Sequence, residues 1–422
     1  MIAAIRSAYQ RAAAFVRRQP ANFKLMLLRR SIHGLALNLS AQYNSIYATV
    51  LGASPVQLGS LQSVGNVVGA LIALPTGWFI DRHSLKKTFL VATGLIIGSS
   101  LLYFGASHWS FLYAAVILLR MGIRTTCTSC TVVGARELPN RERATGRGLC
   151  QSLSSVVSLL TPLLAAWIVS AAGGLNRFGL RSLYIIQAGL FVLIFLFLLF
   201  FFRDTAVPVP QHRQKLVKDF AEIFKEGPVV VRFLIMMALM EIPWFMIGPF
   251  VPLYAHQFKG ADEFILAGLG TARFLAALLF AIPMGRLADR FGRKKLLFAV
   301  APLSYASNVL LILAPGAKVL LLAGFSFAFY GISTSLANAM AAELAPKERM
   351  GRWIGTVGLL RGLISIPMPL LAGMIWDHIG AMYVFIVAVL VDALVRLPLL
   401  LTIPETLNAG GGPGSEPGRH PE

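Results

Sequence analysis

The residues of this chain with the greatest chemical potential are ionisable side chains set inside apolar runs. Glu241 stands in Met240-Glu241-Ile242-Pro243-Trp244. Arg120 and Arg124, Arg273, Arg361, and Asp392 with Arg396 interrupt other stretches made mostly of Leu, Phe, Ala, Ile and Val. A charge in such a setting is expensive and faces a cavity or a partner. A carboxyl group in an apolar environment can load and release a proton, which makes Glu241 the candidate coupling residue. The competing reading is a permanent pair with one of the arginines. Asp392 and Arg396 are four apart, on one face of a helix, and read as a local structural pair. Setting Arg396 aside, four arginines face two acids. A guanidinium suits carboxylate or phosphate, so the excess points to an anionic ligand or to further helix-to-helix pairing.

Uncharged polar residues cluster as well. Asn38, Ser40, Gln42, Tyr43 and Asn44 fall within one apolar stretch. That density suggests a lined cavity, with Asn38, Gln42 and Asn44 as ligand contacts, although some must be hydrogen bonds between helices. Trp244 and Phe245 can wall a site or simply pack. Cys127 and Cys130 form a C-x-x-C spacing, with Cys150 the only other cysteine. The spacing lies inside an apolar run without a second ligand pair, so it reads as packing, and no metal site or cofactor is expected.

The elements that must position these residues follow from composition. Of 422 residues, 56% are hydrophobic and 13% charged, against ~25% charged in an ordinary soluble domain. A helix needs ~20 apolar residues to cross ~30 Å of hydrocarbon. Twelve stretches qualify, near 31–51, 57–79, 88–107, 110–134, 148–172, 182–202, 229–256, 263–284, 296–315, 318–341, 353–375 and 381–402, of which the first and tenth are the most polar. They lack the alternation of a β-barrel and are too long for one. The expected fold is all-α and integral to a membrane.

The net charge of +20 is a topology signal rather than a nucleic-acid footprint. Lys and Arg gather on one side: in the first 30 residues, at Arg82 to Lys87, at Arg136 to Arg147, between Arg203 and Arg232, at Arg286 to Lys295, and at Lys347 to Arg352. The opposite loops hold only Arg177, Arg181, Lys259 and Lys318. The positive-inside rule then places both termini and the central loop in the cytoplasm. No cleavable signal peptide is visible; the basic N-terminal segment reads as a surface-lying amphipathic helix or a disordered tail.

The chain also repeats itself. Ala73 to Lys87 (ALPTGWFIDRHSLKK) matches Ala281 to Lys295 (AIPMGRLADRFGRKK), and Thr161 to Ala166 (TPLLAA) matches Met368 to Gly373 (MPLLAG) in nearly the same register. The organisation expected is a basic segment 1–30, a six-helix bundle 31–202, a connector 203–228, a second bundle 229–403, and a Gly/Pro-rich disordered tail 404–422.

The doubled loop resembles the signature Gly-x-Leu-Ala-Asp-Arg-x-Gly-Arg-Lys of the major facilitator superfamily, found between helices two and three and again between eight and nine. The second copy is nearly complete; the first keeps Gly77, Asp81, Arg82, Lys86 and Lys87 but has Ser84 and Leu85 in place of Gly and Arg. Glu137-Leu138-Pro139 with Arg141 and Arg143, Glu343 with Pro346, Lys347 and Arg349, and the ending Pro404-Glu405-Thr406 also resemble family features. The resemblance implies twelve helices in two halves and a gating role for Gly77, Asp81, Arg82, Gly285, Asp289, Arg290, Gly292 and Arg293. It implies a secondary transporter of a small organic solute working by alternating access in the plasma (inner) membrane, not an enzyme, driven by a proton gradient and sufficient as a monomer. No phosphate-binding Gly-rich loop is present to supply ATP energy. Gly148, Thr161, Pro162, Ala165 and Ala166 are a degraded form of a motif of family exporters, which favours export. Uptake or exchange of an organic anion is the second expectation, and a non-transporting sensor or assembly factor on the same fold the third.

Overall fold

The computed structural model describes residues 15–72, 75–76, 84–139, 142–203, 227–344 and 350–405. The basic segment before residue 15, Gly77, Asp81 and Arg82 of the first loop copy, most of the 203–228 connector and the tail beyond residue 405 lie outside the described residues. Among those described there is no strand, and the helices follow one another as twelve rods. They are α1 (Ala21–Ala41, resumed at Asn44–Val50), α2 (Pro55–Leu71), α3 (Leu85–Gly105), α4 (Phe111–Glu137), α5 (Arg143–Ala171) and α6 (Arg177–Phe201), then α7 (Pro228–Leu239, Glu241–Ile247, Phe250–Lys259) and α8 (Glu263–Phe291). The last four are α9 (Arg293–Leu313), α10 (Ala317–Leu344), α11 (Met350–Ser365, Pro367–His378) and α12 (Ala381–Val391, Asp392–Arg396, Leu397–Leu401).

Local chemistry sets several of their ends. Ser54 opens α2 with a capping box to Gln57 and a proline at the first helical position. Ser84 caps α3 through Lys87 N, and the Asn176 side chain accepts from the amides of Phe178 and Gly179 to start α6. Helix α1 begins at Ala21, well before the expected residue 31. The basic residues there do not stop the helix, because Lys24 donates to the Arg17 carbonyl and Arg29 finds partners on α3 and α4.

Ten of the rods are long and apolar enough, by length and composition, to cross a membrane. The two that fall short among the described residues are α1 and α2. The first breaks at its polar run, where Gln42 and Tyr43 turn before Asn44; the second reaches its undescribed end at residues 73–74. The tenth stretch, one of the two most polar, does qualify.

Exposure is inverted relative to a soluble protein. Phe200 is 73% exposed, Leu394 68% and Trp167 65%, whereas Thr88, Ser99 and Ser100 are fully buried. Lipid is the solvent that tolerates such an outer face. This is a multi-pass membrane protein.

The described chain divides into two compact units. One holds the residues before the central gap together with Pro252–Thr271; the other holds those up to Val251 and from Ala272 onward. In the first unit, Phe23, Phe89, Phe191 and Leu198 anchor the core. Polar ties fix its helix neighbours: Ser40 donates to Gln187, and Gln187 to Ser100, joining α1, α6 and α3 at 2.8 and 3.1 Å. At one end Tyr103 stacks on Tyr184 at 4.6 Å, and Arg181 and Arg177 both donate to the carbonyl of Ala106 that ends α3. In the second unit, Phe233, Met237, Leu297, Trp353 and Leu400 form the core. Asp392 and Arg396, each 3% exposed, pair on one turn of α12, and Tyr305 of α9 donates to the same carboxylate at 2.5 Å. That turn is a π-helix.

Close helix approach depends on one glycine in particular. A Cβ at Gly122 of α4 would sit 2.7 Å from the backbone carbonyl of Ala92 on α3. The Gly122→Ala variant is therefore expected to lose about 1–3 kcal/mol through overpacking against an immovable backbone. Thermal unfolding in detergent should show this loss, with Gly94→Ala, which meets nothing within 4 Å, staying near wild type. Equal melting of the two variants would refute the tight α3–α4 contact.

Candidate functional site

The second unit brings Glu241, Arg361, Trp244 and Arg273 into two adjoining groups. Helix α7 is interrupted after Leu239, and Glu241 starts its middle segment with Pro243 two residues on. Glu241 Oε1 lies 3.1 Å from Arg361 Nε on α11, with the side chains 13% and 23% exposed. The Nε–H does not point at the carboxylate, so this is an ion pair held by charge rather than by an aligned hydrogen bond. Arg361 is steadied through Nη2, which donates to Asn338 Oδ1 of α10 at 2.9 Å and lies 3.9 Å from Met237 Sδ of α7. A half-buried, imperfectly aligned pair spanning two helices can be broken far more readily than a sealed one.

Trp244, one turn beyond Glu241, stacks on Phe327 of α10 with centroids 5.5 Å apart. Its indole remains 40% exposed. Arg273 of α8 lies over the rings of Phe274 and Phe327 at 5.1 and 5.8 Å. Among the described residues it has no carboxylate within ion-pair distance, so its charge rests on aromatic faces. Phe327 and Asn338 were not singled out from the sequence. Their only signal there was position on a comparatively polar stretch.

In the first unit, Arg120 and Arg124 lie against the glycines of α2. Arg120 Nη2 donates to Gln62 at 3.1 Å, and its Nε would be 3.1 Å from a Cβ at Gly65. Arg124 passes Gly69 one turn on, at 3.7 Å from such a Cβ. Among the described residues neither has a carboxylate partner. The polar run of α1 is divided in its uses. Asn38 donates to Gly34 O and to Ser158 of α5; Asn44 accepts from Tyr184 of α6 at 2.8 Å; the Gln42 amide packs against Gly270. Asn38 and Asn44 are thus engaged in tying helices together.

The second loop copy is described. Gly285 faces open space, Arg290 lies over Phe291 at 5.3 Å, and Asp289, 69% exposed, is 3.7 Å from Arg293. The closer partner of Arg293 is Glu343 at the end of α10, at 2.8 Å. Gly292 turns the chain at φ 99° and provides no capping side chain for α9. Glu405 takes that role: its carboxylate accepts the amides of Arg293 and Lys294 at 3.0 and 3.1 Å, and Lys294 Nζ returns to the carbonyls of Leu401 and Ile403. A negative group there complements the helix dipole. Removal by Glu405→Ala is expected to cost about 1 kcal/mol, as loss of an N-cap does. Amide exchange of Arg293 and Lys294 should speed up while the core of α9 is unchanged; unaltered exchange would show that the cap carries no weight.

Comparison with known proteins bears on the family and the fold. The family model described as Major Facilitator Superfamily matches residues 28–270 and 233–420. The chain is 24% identical over 295 residues to the multidrug resistance protein MdtG of Rahnella sp. (strain Y9602), covering 68% of each. It is 25% identical over 282 residues to the MdtG of Salmonella paratyphi B, covering 64% of this chain and 67% of that one. Among solved structures, the nucleoside transporter NupG superposes with a TM-score of 0.74 at 14% identity, over 90% of this chain and 99% of that one. A D-xylose-proton symporter superposes at 0.68 and 15%, over 91% and 99%. These structural likenesses concern the fold.

Proposed function

Because this chain belongs to the Major Facilitator Superfamily, we propose that it is a secondary active transporter that exports a small organic solute by proton-coupled alternating access. Alternating access opens a mid-membrane site to one side and then to the other, and both termini face the cytoplasm at the inner membrane. The observation that carries the coupling is the Glu241–Arg361 pair, half-buried, misaligned and steadied by Asn338. Ionised Glu241 is satisfied by Arg361. A proton that neutralises it removes the attraction between α7 and α11 at that point and frees the guanidinium. A solute on Trp244 and Arg361 acts on the same pair, so proton and solute share a free energy of interaction, which is the condition for coupling. Export is supported by the MdtG relatives, named for multidrug resistance. The loop around Gly285, Asp289, Arg290, Gly292 and Arg293 serves as a gate that its partners Glu343 and Glu405 hold in one state.

The test is flux in proteoliposomes under an imposed pH gradient, for wild type and Glu241→Gln, against pooled drug-like compounds. Gradient-driven movement is expected in the wild type and loss of proton dependence, at least tenfold in rate, in the variant. Movement with unchanged proton dependence in the variant would remove Glu241 from the coupling role.

One observation favours a second reading, transport of an organic anion: Arg273 has aromatic faces for company and no carboxylate among the described residues. A bidentate guanidinium contact to an anion is worth a few kcal/mol when water is excluded. On this reading Arg273→Gln and Arg361→Gln each weaken binding of a carboxylate-bearing compound at least tenfold and spare its neutral amide. Equal binding of the acid by wild type and both variants would defeat it.

A further inference from the structure

Arg177 and Arg181 stand one turn apart at the start of α6, away from the site around Glu241. Both donate through Nη2 to the carbonyl of Ala106 that ends α3, Arg177 at 3.3 Å. Arg181 Nε also donates to the Tyr47 hydroxyl of α1 at 3.4 Å. Two guanidinium groups on one acceptor stand side by side, and both stay charged at any physiological pH. A helix C-terminus offers only about half a negative charge, so the end of α3 neutralises a fraction of the pair. The start of α6 adds positive dipole, and its amides of Phe178 and Gly179 are already taken by the Asn176 side chain. Among the described residues neither arginine has a carboxylate within ion-pair distance. Arg177 Nε is buried without a hydrogen-bond partner. Of the five N–H groups on each guanidinium, Arg177 uses one and Arg181 two among the described residues.

We propose that Arg177 and Arg181 form a binding site for the headgroup phosphate of an anionic phospholipid in the outer leaflet. The depth of the pair favours a lipid over a soluble anion. Trp109, three residues beyond Ala106, packs edge-on against Tyr113 at 5.8 Å and beside His108 at 5.4 Å. Phe178, next to Arg177, is 75% exposed. Tryptophan and tyrosine gather at the headgroup level of a bilayer. Below the pair, α6 presents Ile185, Val192 and Leu196 outward, an apolar strip along which acyl chains can lie. A guanidinium fork matches phosphate oxygens, and the phosphate supplies the counter-charge that the chain lacks there. A zwitterionic headgroup brings its own cation to the same place and is less favoured. The leaflet follows from the proposed orientation; the site itself does not depend on what the protein transports.

The experiment is native mass spectrometry of the purified full-length protein in detergent, titrated with phosphatidylglycerol or with phosphatidylcholine of the same chain length. The wild type is expected to retain phosphatidylglycerol in preference. A basic side chain near an anionic headgroup contributes about a fivefold gain in affinity, so Arg177→Gln and Arg181→Gln should each weaken retention about fivefold. Arg181 also ties α6 to α1, so Arg177→Gln, which gives up a single bond, carries the test. Arg177→Lys keeps the charge and should restore most of the retention, which separates loss of the site from misfolding. Lys318→Gln removes an exposed cation of the same membrane side in the other unit and should change nothing. Inorganic phosphate in excess should not displace the lipid. Equal retention of the two lipids, retention that ignores Arg177→Gln, an equal loss in Lys318→Gln, or displacement by inorganic phosphate would each overturn the proposal.

Discussion

Hydrocarbon has no water with which to satisfy an N–H or a carbonyl, and everything else in this protein follows from that constraint. The backbone meets it by being helical through nearly all of the described spans. Side-chain hydroxyls meet it locally: Thr93, Ser100, Ser129 and Thr161 each donate back to the carbonyl four residues earlier. Polar groups that cannot be satisfied within their own helix must reach a neighbour, and these reaches specify which helices touch. Ser40, Gln187 and Ser100 do this for α1, α6 and α3, and Asn308 with Tyr330 for α9 and α10.

The same constraint separates two ion pairs that look alike in composition. Asp392 and Arg396 are sealed, doubly bonded, on one helix, with a tyrosine closing the carboxylate. Breaking that pair would leave a bare charge in the core, so it acts as a permanent fixture. Glu241 and Arg361 stand on different helices, remain partly accessible, and meet without an aligned hydrogen bond. A moving part can be built from the second kind of pair and not from the first.

The repeated loop shows how similar sequences are finished differently. Where Ser84 caps α3 from its own side chain, the equivalent position before α9 is Gly292, whose positive φ an L side chain rarely adopts. A Cβ there would meet the Glu405 carboxylate, which comes from far along the chain to supply the missing cap. The end of α12 is thereby fastened to the start of α9, next to the Arg293–Glu343 pair that fastens α9 to α10.

Hydropathy is a local property, so the sequence alone determined the helical class, ten of the spans by length and composition, the membrane setting and the Asp392–Arg396 pair, which needs only the four-residue turn. The doubled loop and its family were legible for the same reason: they are runs of adjacent residues. Which arginine meets Glu241 was decided by the rotation of α7 and α11 about their axes, and packing sets that rotation. The same rotation turned Asn44 toward Tyr184 and Asn38 toward Ser158, put Phe327 between Trp244 and Arg273, and laid Arg29 on Cys130. No spacing along the chain encodes those meetings, because each joins residues whose only link is the shape of the helices between them.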